Sequence, residues 1–314
     1  MWFFTAANPT LTFGGFEGEG KQEMYAQLPA HLCPRSMPVC PKEPFADVAR
    51  RVRINAFAYP LAVKPDVGMM GLLFRKITNE VEFQRYHERI SVPYLVQEFI
   101  DLPLEVSVFY YRLPGAEQGT ITGFVRKDFP HVVGDGIATL AHLLQRHPYA
   151  RYHLGEMRAK HAEHLREVPP AGKTYVLSQA LNQTRGGQLV SLAHEKDDRL
   201  LAVFDALSHH AGHFYFGRYD VKCVSIDELK AGRNFCILEY NGSGAAPHHV
   251  YAGRRSLWAA YRIILHHWAV LARIARQNHA HGVPFWEFGR GWAFLKAAKR
   301  HLKLLKRLDK EVSW

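Results

Sequence analysis

Two segments of this chain, "HFYFGRYDVKCV" and "NFCILEYNG", place chemically capable side chains at a spacing of two: Arg218 with Asp220, and Glu239 with Asn241. Side chains on a strand alternate between faces, so each pair shares one face. If the two strands pair antiparallel, all four side chains converge. Asp, Glu and Asn oxygens suit a hard cation such as Mg²⁺, above all one that also binds phosphates. Arg adds a forked donor for a phosphoryl or carboxylate group. The glycines of "GSGAAPHH" after Asn241 would let another molecule approach the backbone. The competing reading is an ordinary strand end with turn chemistry and a solvent-facing lattice of salt bridges.

A second constellation lies upstream. Lys64 ends the apolar run "YPLAV" and is followed by Pro65 and "DVGMMG". Backbone N–H groups around Gly68 and Gly71 could close over an anion, with Lys64 as a point charge. A β-hairpin with a snorkelling lysine reads equally well. Further on, "GFVRKDFPHVVGDG" sets Arg126 and Lys127 at a strand end before another glycine loop, as further charge for phosphate. "GFEGEGKQ" nearly matches a P-loop, but Gln22 replaces the Ser or Thr that should hold Mg²⁺, and Glu17 and Glu19 would face the anion. It is set aside. His209 and His213 have helical i, i+4 spacing without an acidic base between them, and His248 and His249 follow the site loop. Structural roles for these histidines are the simpler reading. The sequence has no G-x-S-x-G elbow.

The elements that must position these residues are legible in outline. "FAYPLAVKPDVGMMGLLFRKI" reads as strand, glycine loop, strand; "PYLVQEFI", "LEVSVFYYRL" and "GTITGFVRK" read as strands. Helices are expected over Lys21–Leu28, "NEVEFQRYHERI", "GIATLAHLLQRH", Glu156–Val168, "KDDRLLAVFDALSHHA" and Trp258–Gln277. Ser225 and Glu228 have capping-box spacing for one helical turn between the two site strands. Hairpin-like strands with separate helices give an α+β class rather than alternating βαβ units.

Composition narrows the function. At 314 residues and 47% hydrophobic, the chain can bury a real core. Its net charge of +11 is uneven: from Tyr251 onward there are 13 Lys and Arg against 3 Asp and Glu, and the preceding 250 residues hold 27 against 26. The basicity belongs to a C-terminal extension, which argues against nucleic acid as the partner of the main body. Cys33, Cys40, Cys223 and Cys236 lack zinc-site spacing and fit reduced thiols in a cytoplasmic protein. No segment reads as a signal peptide, and the apolar stretch Ser256–Ala272 is broken by Arg262, His266 and His267.

Taken in order, these pieces resemble the ATP-grasp superfamily, in particular carboxylate–amine ligases near the D-alanine–D-alanine ligases and the ATP-grasp domains of cyanophycin synthetases. The resemblance spans roughly Lys21 to Tyr251. "YPLAVKPDVGMMG" is similar to the strand and glycine loop whose lysine contacts phosphate, here Lys64 with Gly68 and Gly71. "YLVQEFIDLPLEVSV" is similar to the adenine hinge, with backbone groups of Glu98, Phe99 and Ile100 for the base and Glu105 for the ribose. "VRKDFPHVVGDGIAT" is similar to the segment carrying another phosphate lysine, Lys127. "NQTRGG", with Asn182 and Arg185, is similar to a substrate-side loop. "FGRYDVK" with "ILEYNGSG" matches the set that binds magnesium and the γ-phosphate: Arg218, with Asp220, Glu239 and Asn241 as the metal ligands.

The resemblance implies an ATP-grasp fold, two α+β subdomains sandwiching ATP, with the usual N-terminal Rossmann-like subdomain absent or reduced because the chain before Lys64 is too short. The implied division is an N-terminal arm over 1–20, an N-terminal lobe over 21–100, a C-terminal lobe with the Mg-ATP site over 101–282, and a basic amphipathic helix over 283–314. The implied activity is an ATP- and Mg²⁺-dependent ligase, with Mn²⁺ as a substitute metal, joining a carboxylate to an amine through an acyl phosphate and releasing ADP. Arg218, Lys127 and Arg185 would carry catalysis. The alternatives are an ATP-grasp kinase acting on a small acceptor, and a non-catalytic nucleotide-binding module docked by its C-terminal helix. That helix, "GWAFLKAAKRHLKLLKRLDK", sets Trp292, Leu295, Leu302 and Leu305 among basic side chains. It suits an anionic membrane or a protein partner, or else packs on its own domain. A homodimer is compatible with the sequence, as is a cytoplasmic location at the inner membrane face.

Overall fold

The computed structural model describes residues 1–178, 187–253 and 256–311. Two compact units are present: one formed by Met1–Arg126 together with Ser191–Val312, the other by Lys127–Val190.

The first unit holds two sheets. Strands β1 (Ser36–Val39), β2 (Leu61–Pro65), β3 (Arg75–Ile77) and β4 (Tyr94–Glu98) form a sheet in the order β1-β4-β2-β3 with antiparallel pairs throughout. The β2–β3 pair is the strand, glycine loop, strand unit expected from the sequence. Val48 and Val52 of α2 (Phe45–Ile54) and Phe83 and Tyr86 of α3 (Glu80–Arg89) bury one core with Val63 and Val96 of this sheet. Asn79 caps α3 by accepting from Glu82 N at 2.9 Å, satisfying a donor the helix leaves unpaired.

The second sheet combines β5 (Leu104–Tyr111), β6 (Thr120–Asp128), β10 (Phe216–Cys223) and β11 (Phe235–Asn241) in the order β11-β10-β5-β6, while β9 (Gln188–Ser191) falls almost wholly in the other unit. Period-two alternation splits it into two apolar faces. Val106, Val108, Tyr219 and Val221 pack on Phe204 and Leu207 of α6 (Asp198–Ala211). Phe109 and Phe216, on the opposite face, pack on Phe4, Phe13 and on Leu271 and Ile274 of α8 (Leu257–Ala280). Ser225 caps the single-turn helix α7 (Ile226–Lys230) between β10 and β11 by accepting from Glu228 N at 3.1 Å, as its spacing predicts.

The first sixteen residues are built into this unit. The Asn8 side chain bonds the backbone of Tyr215 and Phe216, and Ser243 N and Gly244 N donate to the carbonyls of Gly14 and Gly15. A Cβ on Gly242 would lie 2.7 Å from the Gly14 carbonyl oxygen, so glycine is required for that approach. Helix α1 (Lys21–Tyr25) is shorter than the sequence suggests, because beyond Ala26 the backbone tightens to i→i−3 bonds, Gln27 N to the Met24 carbonyl and Leu28 N to the Tyr25 carbonyl, ahead of Pro29.

The C-terminal helix α9 (Phe288–Glu311) turns its leucines inward. Leu305 and Leu308 are buried among Val63, Leu73 and Tyr86, and Leu302 is half-buried. The apolar stripe drawn through Leu295, Leu302 and Leu305 therefore faces its own domain, and only Trp292 of that set is exposed.

In the second unit, β7 (His131–Val133) pairs antiparallel with β8 (Thr174–Val176), and Leu140 and Leu144 of α4 (Leu140–Arg146) pack with Met157 of α5 (Leu154–Lys160). The helix expected over Glu156–Val168 ends at Lys160, followed by a short 3₁₀ turn at Ala162–His164.

Candidate functional site

The register of β10 and β11 gathers the four residues singled out by spacing. Arg218 lies opposite Asn241 and Asp220 opposite Glu239 in an antiparallel ladder. Cross-strand partners point to the same side, so these side chains share a face. One residue further the ladder shifts: Val221 pairs with Ile237, leaving Leu238 without a partner on β10. This bulge keeps Ile237 on the apolar face with Val221 while Glu239 stays on the polar face with Asp220.

On that polar face the groups are tightly bonded. Arg218 donates through Nη2 to Asp220 Oδ2 at 3.0 Å and through Nε to Oδ1 at 3.1 Å, a bidentate pair that is largely buried. Asn241 Nδ2 donates to Asp220 Oδ2 at 3.3 Å. Ser107 of β5, which lies opposite Asp220, donates its hydroxyl to Oδ1. Ser107 Oγ also meets His248 Nδ1 at 3.1 Å, and Arg218 Nη1 donates to the Ala246 carbonyl at 3.1 Å. The loop after Asn241 thus folds back over the arginine. Ser107, Phe109, Gly123, Val125, Arg218, His248 and His249 line a shallow recess here.

A second group of charges meets the outer edge of β11. Lys64, near the end of β2, donates to the Tyr25 hydroxyl at 3.0 Å and reaches the Leu238 carbonyl at 3.5 Å. Tyr25 donates to the same carbonyl at 2.6 Å. The bulge therefore offers the backbone acceptor that ties Lys64 to the site strand. Burial holds the Lys64 ammonium below the ordinary lysine pKa, opposed most by the carboxylate of Glu239. Lys21, at the start of α1, sits with Nζ 3.4 Å from Glu239 Oε1 and donates to the Gly68 carbonyl at 3.0 Å. Its place is set by Asp66: Lys21 N donates to the Asp66 carbonyl, and the Asp66 carboxylate accepts from Gln22 N and Nε2, each at 3.0 Å. Glu19 lies close by, its Oε2 buried without a hydrogen-bond partner, and burial followed by the field of Glu239 pushes its carboxyl pKa up.

The sequence does not single out Lys21 and Glu19, because their segment offers chemistry only as a near P-loop and otherwise reads as the start of a short helix. The lysine is at the site, but through a helix that docks on Asp66 rather than through a phosphate cradle. Nothing in the sequence surroundings of Ser107 and Tyr25 marks them either, since both reach the site by strand pairing and helix packing.

The remaining predicted residues are distributed as follows. Gly68 and Gly71 lie in the loop between β2 and β3, and that loop turns the Gly68 carbonyl, not an N–H, toward Lys21. Its ends are held by α9: His301 Nε2 bonds the Val67 carbonyl at 2.9 Å, and Asp309 Oδ1 accepts from Leu73 N at 2.8 Å. At the hinge, Glu98 accepts from Arg35, Ile100 gives its carbonyl to Lys222 at 3.0 Å, and Phe99 has Lys76 4.3 Å from its ring centroid. Glu105 lies opposite Lys222 on β5. Arg126 lies opposite Val106 on β5. Lys127 belongs to the second unit. Asn182 and Arg185 lie outside the described residues. His209 bonds the Glu117 carbonyl at 2.7 Å, whereas His213 lies past the end of α6 and packs against Tyr215, so the two do not form the helical i, i+4 pair that their spacing suggests.

Two carboxylates and a carboxamide on one face of two adjacent strands fit the donor chemistry of a hard divalent cation. Glu239 is the more available candidate ligand, with a side chain 33% exposed and, among the described residues, an ion pair to Lys21. Asp220 already accepts from Arg218, Ser107 and Asn241 and must exchange one of these donors to take a cation. Among the described residues no three His, Cys, Asp or Glu side chains converge as a metal site, so the fit depends on Asn241 as third donor.

No family model matches the chain, and no curated protein matches it. Its fold is similar to solved structures. One is a bifunctional glutathione synthetase from Pasteurella multocida, with 16% identity and TM-score 0.40, covering 79% of this chain and 34% of that one. Another is a D-alanine–D-alanine ligase from Bacillus anthracis, with 11% identity and TM-score 0.42, covering 84% and 67%. A third is the D-alanine–D-alanine ligase of Coxiella burnetii, with 10% identity and TM-score 0.46, covering 86% and 61%. The chain spans about a third of the length of the first of these. These are likenesses of fold outline, and the functional reading rests on the site itself.

Proposed function

We propose that this chain is an ATP- and Mg²⁺-dependent ligase that joins a carboxylate to an amine through an acyl phosphate. The observation that supports it is the convergence of Arg218, Asp220 and Asn241 in one bonded cluster, with Glu239 opposite Asp220 and two lysines, Lys21 and Lys64, at the edge of the same strand. Burying so many charges together is costly for stability alone, and a ligand that uses them offsets the cost.

In this reading Asp220, Glu239 and Asn241 would hold the cation, with Mn²⁺ as a substitute metal. By the sequence resemblance, Lys64 and Lys127 would serve the phosphates, the loop with Gly68 and Gly71 would cover them, and backbone groups of Glu98, Phe99 and Ile100 would take the base, with Glu105 for the ribose. Bound magnesium nucleotide supplies the phosphoryl group and much of the charge neutralisation. The substrate carboxylate takes that phosphoryl group as ADP leaves; the amine then forms the C–N bond as phosphate leaves and the amine proton is released. Both steps build negative charge on oxygen, which Arg218 would offset where it develops; Lys127 and Arg185 are candidates for the same role from the sequence alone. No protein nucleophile is required.

The test is an ADP-release screen over pairs of carboxylates and amines, with and without Mg²⁺, and with hydroxylamine as a trap. Mg²⁺-dependent ADP release and a trapped hydroxamate are expected. A stable phosphorylated acceptor with no hydroxamate would convert the reading to a kinase, and nucleotide binding without turnover on any pair would leave a binding module.

A further inference from the structure

Helix α8 leaves the apolar face of its first half uncovered. Leu257, Trp258, Tyr261, Leu265 and Trp268 are 69%, 79%, 52%, 65% and 45% exposed. At about 100° per residue these five positions fall within roughly 100° of arc, the width of a face that a globular helix normally buries. The aromatic surface continues beyond the helix. Phe3 lies 6.4 Å from Trp268 between ring centroids, the adjacent Trp2 stacks on Phe288 at 5.8 Å, and Phe288 stacks on Trp292 at 6.1 Å. Phe288 and Trp292 are themselves exposed.

Charge says what covers this surface. Between Tyr251 and Trp286 the sequence contains no Asp or Glu at all. Arg262 beside the stripe, and Arg273 and Arg276 further along α8, are exposed. On α9, Lys296 stands 5.4 Å from the Trp292 ring centroid, and Lys299, Arg300, Lys303, Lys306 and Arg307 are all exposed. Pairing this face with a second copy would set like charges against each other. A partner that is apolar beneath and anionic at its surface satisfies both features, because Trp and Tyr rings settle at a headgroup boundary while the cations meet phosphate. Among the described residues no helix is long and apolar enough to cross a membrane, so the contact would be peripheral.

We infer that the exposed face of α8, extended by Phe288 and Trp292, docks the protein on an anionic lipid surface. This goes beyond the ligase reading and does not depend on it. It also places the contact differently from the α9 leucines, which the core already uses.

The test uses the full chain and sedimentation with phosphatidylglycerol-containing or pure phosphatidylcholine vesicles at low salt, alongside tryptophan quenching by brominated lipid. Pelleting with the anionic vesicles, release by salt, and quenching are expected. The double variant Trp258→Gln, Leu265→Gln should lower the partition by about tenfold or more. Failure of the unaltered chain to pellet with anionic vesicles overturns the inference, as does unchanged pelleting of the folded double variant. A lipid-independent dimer that the variant splits, without quenching, also overturns it by assigning the face to a second copy. If the double variant does not fold, quenching of the unaltered chain decides: its presence supports docking and its absence ends it.

Discussion

The Lys21 ammonium lies 3.4 Å from the Glu239 carboxylate and at the same time donates to the Gly68 carbonyl. One side chain thus neutralises the most available ligand of the candidate cation site and holds the glycine loop. The ion pair is partly buried, so removing its cation leaves a stronger negative field at Glu239. Lys21→Met should therefore tighten Mn²⁺ binding without nucleotide by up to about fivefold, the worth of an ion pair of about 1 kcal/mol. Mn²⁺ electron paramagnetic resonance measures this directly. A lysine that served only as a phosphate contact would leave the free-metal affinity unchanged.

Glu239→Gln removes the charge and keeps the shape. Metal affinity should fall, and turnover, once a substrate pair is found, should drop by roughly 10²-fold or more. Near-normal turnover with unchanged metal affinity would remove Glu239 from the cation site.

The Arg218–Asp220 pair predicts non-additive stability. Asp220→Ala strands a buried guanidinium and should cost about 3–5 kcal/mol, and Arg218→Ala strands the carboxylate at similar cost. The double variant should be less destabilised than the sum of the two, since neither charge is then left alone. Urea unfolding of the four proteins checks this. Simple additivity would show that the pair contributes no coupling.

Glu19 predicts a pH dependence. Its carboxyl pKa is raised above the ordinary 4.5, chiefly by burial. Between 4.5 and the raised value the folded chain holds more protons than the unfolded chain, so this group's contribution to stability falls as pH rises through that window. Glu19→Gln should flatten that fall and raise the denaturation midpoint near neutral pH. Midpoints measured from acid to neutral pH that run parallel for the two proteins would count against the assignment.

The period-two pattern of "YFGRYDVK" and "ILEYNG" determined by itself that Arg218 would share a face with Asp220 and Glu239 with Asn241, because strand geometry leaves no other arrangement. The Ser225 cap and the hairpin around the glycine loop were legible for the same reason: each rests on neighbours a few residues apart. Tertiary structure alone decided the rest. The bulge at Leu238 exposes a carbonyl to Lys64 and Tyr25, docking of α1 on Asp66 delivers Lys21 to Glu239, and strand pairing brings Ser107 under Asp220. Which apolar face of α8 or α9 is spent on the core was likewise open in the sequence, since both helices are amphipathic and only packing chooses between them. Local periodicity encodes which side chains face the same way; it carries no record of which distant segment will lie opposite them.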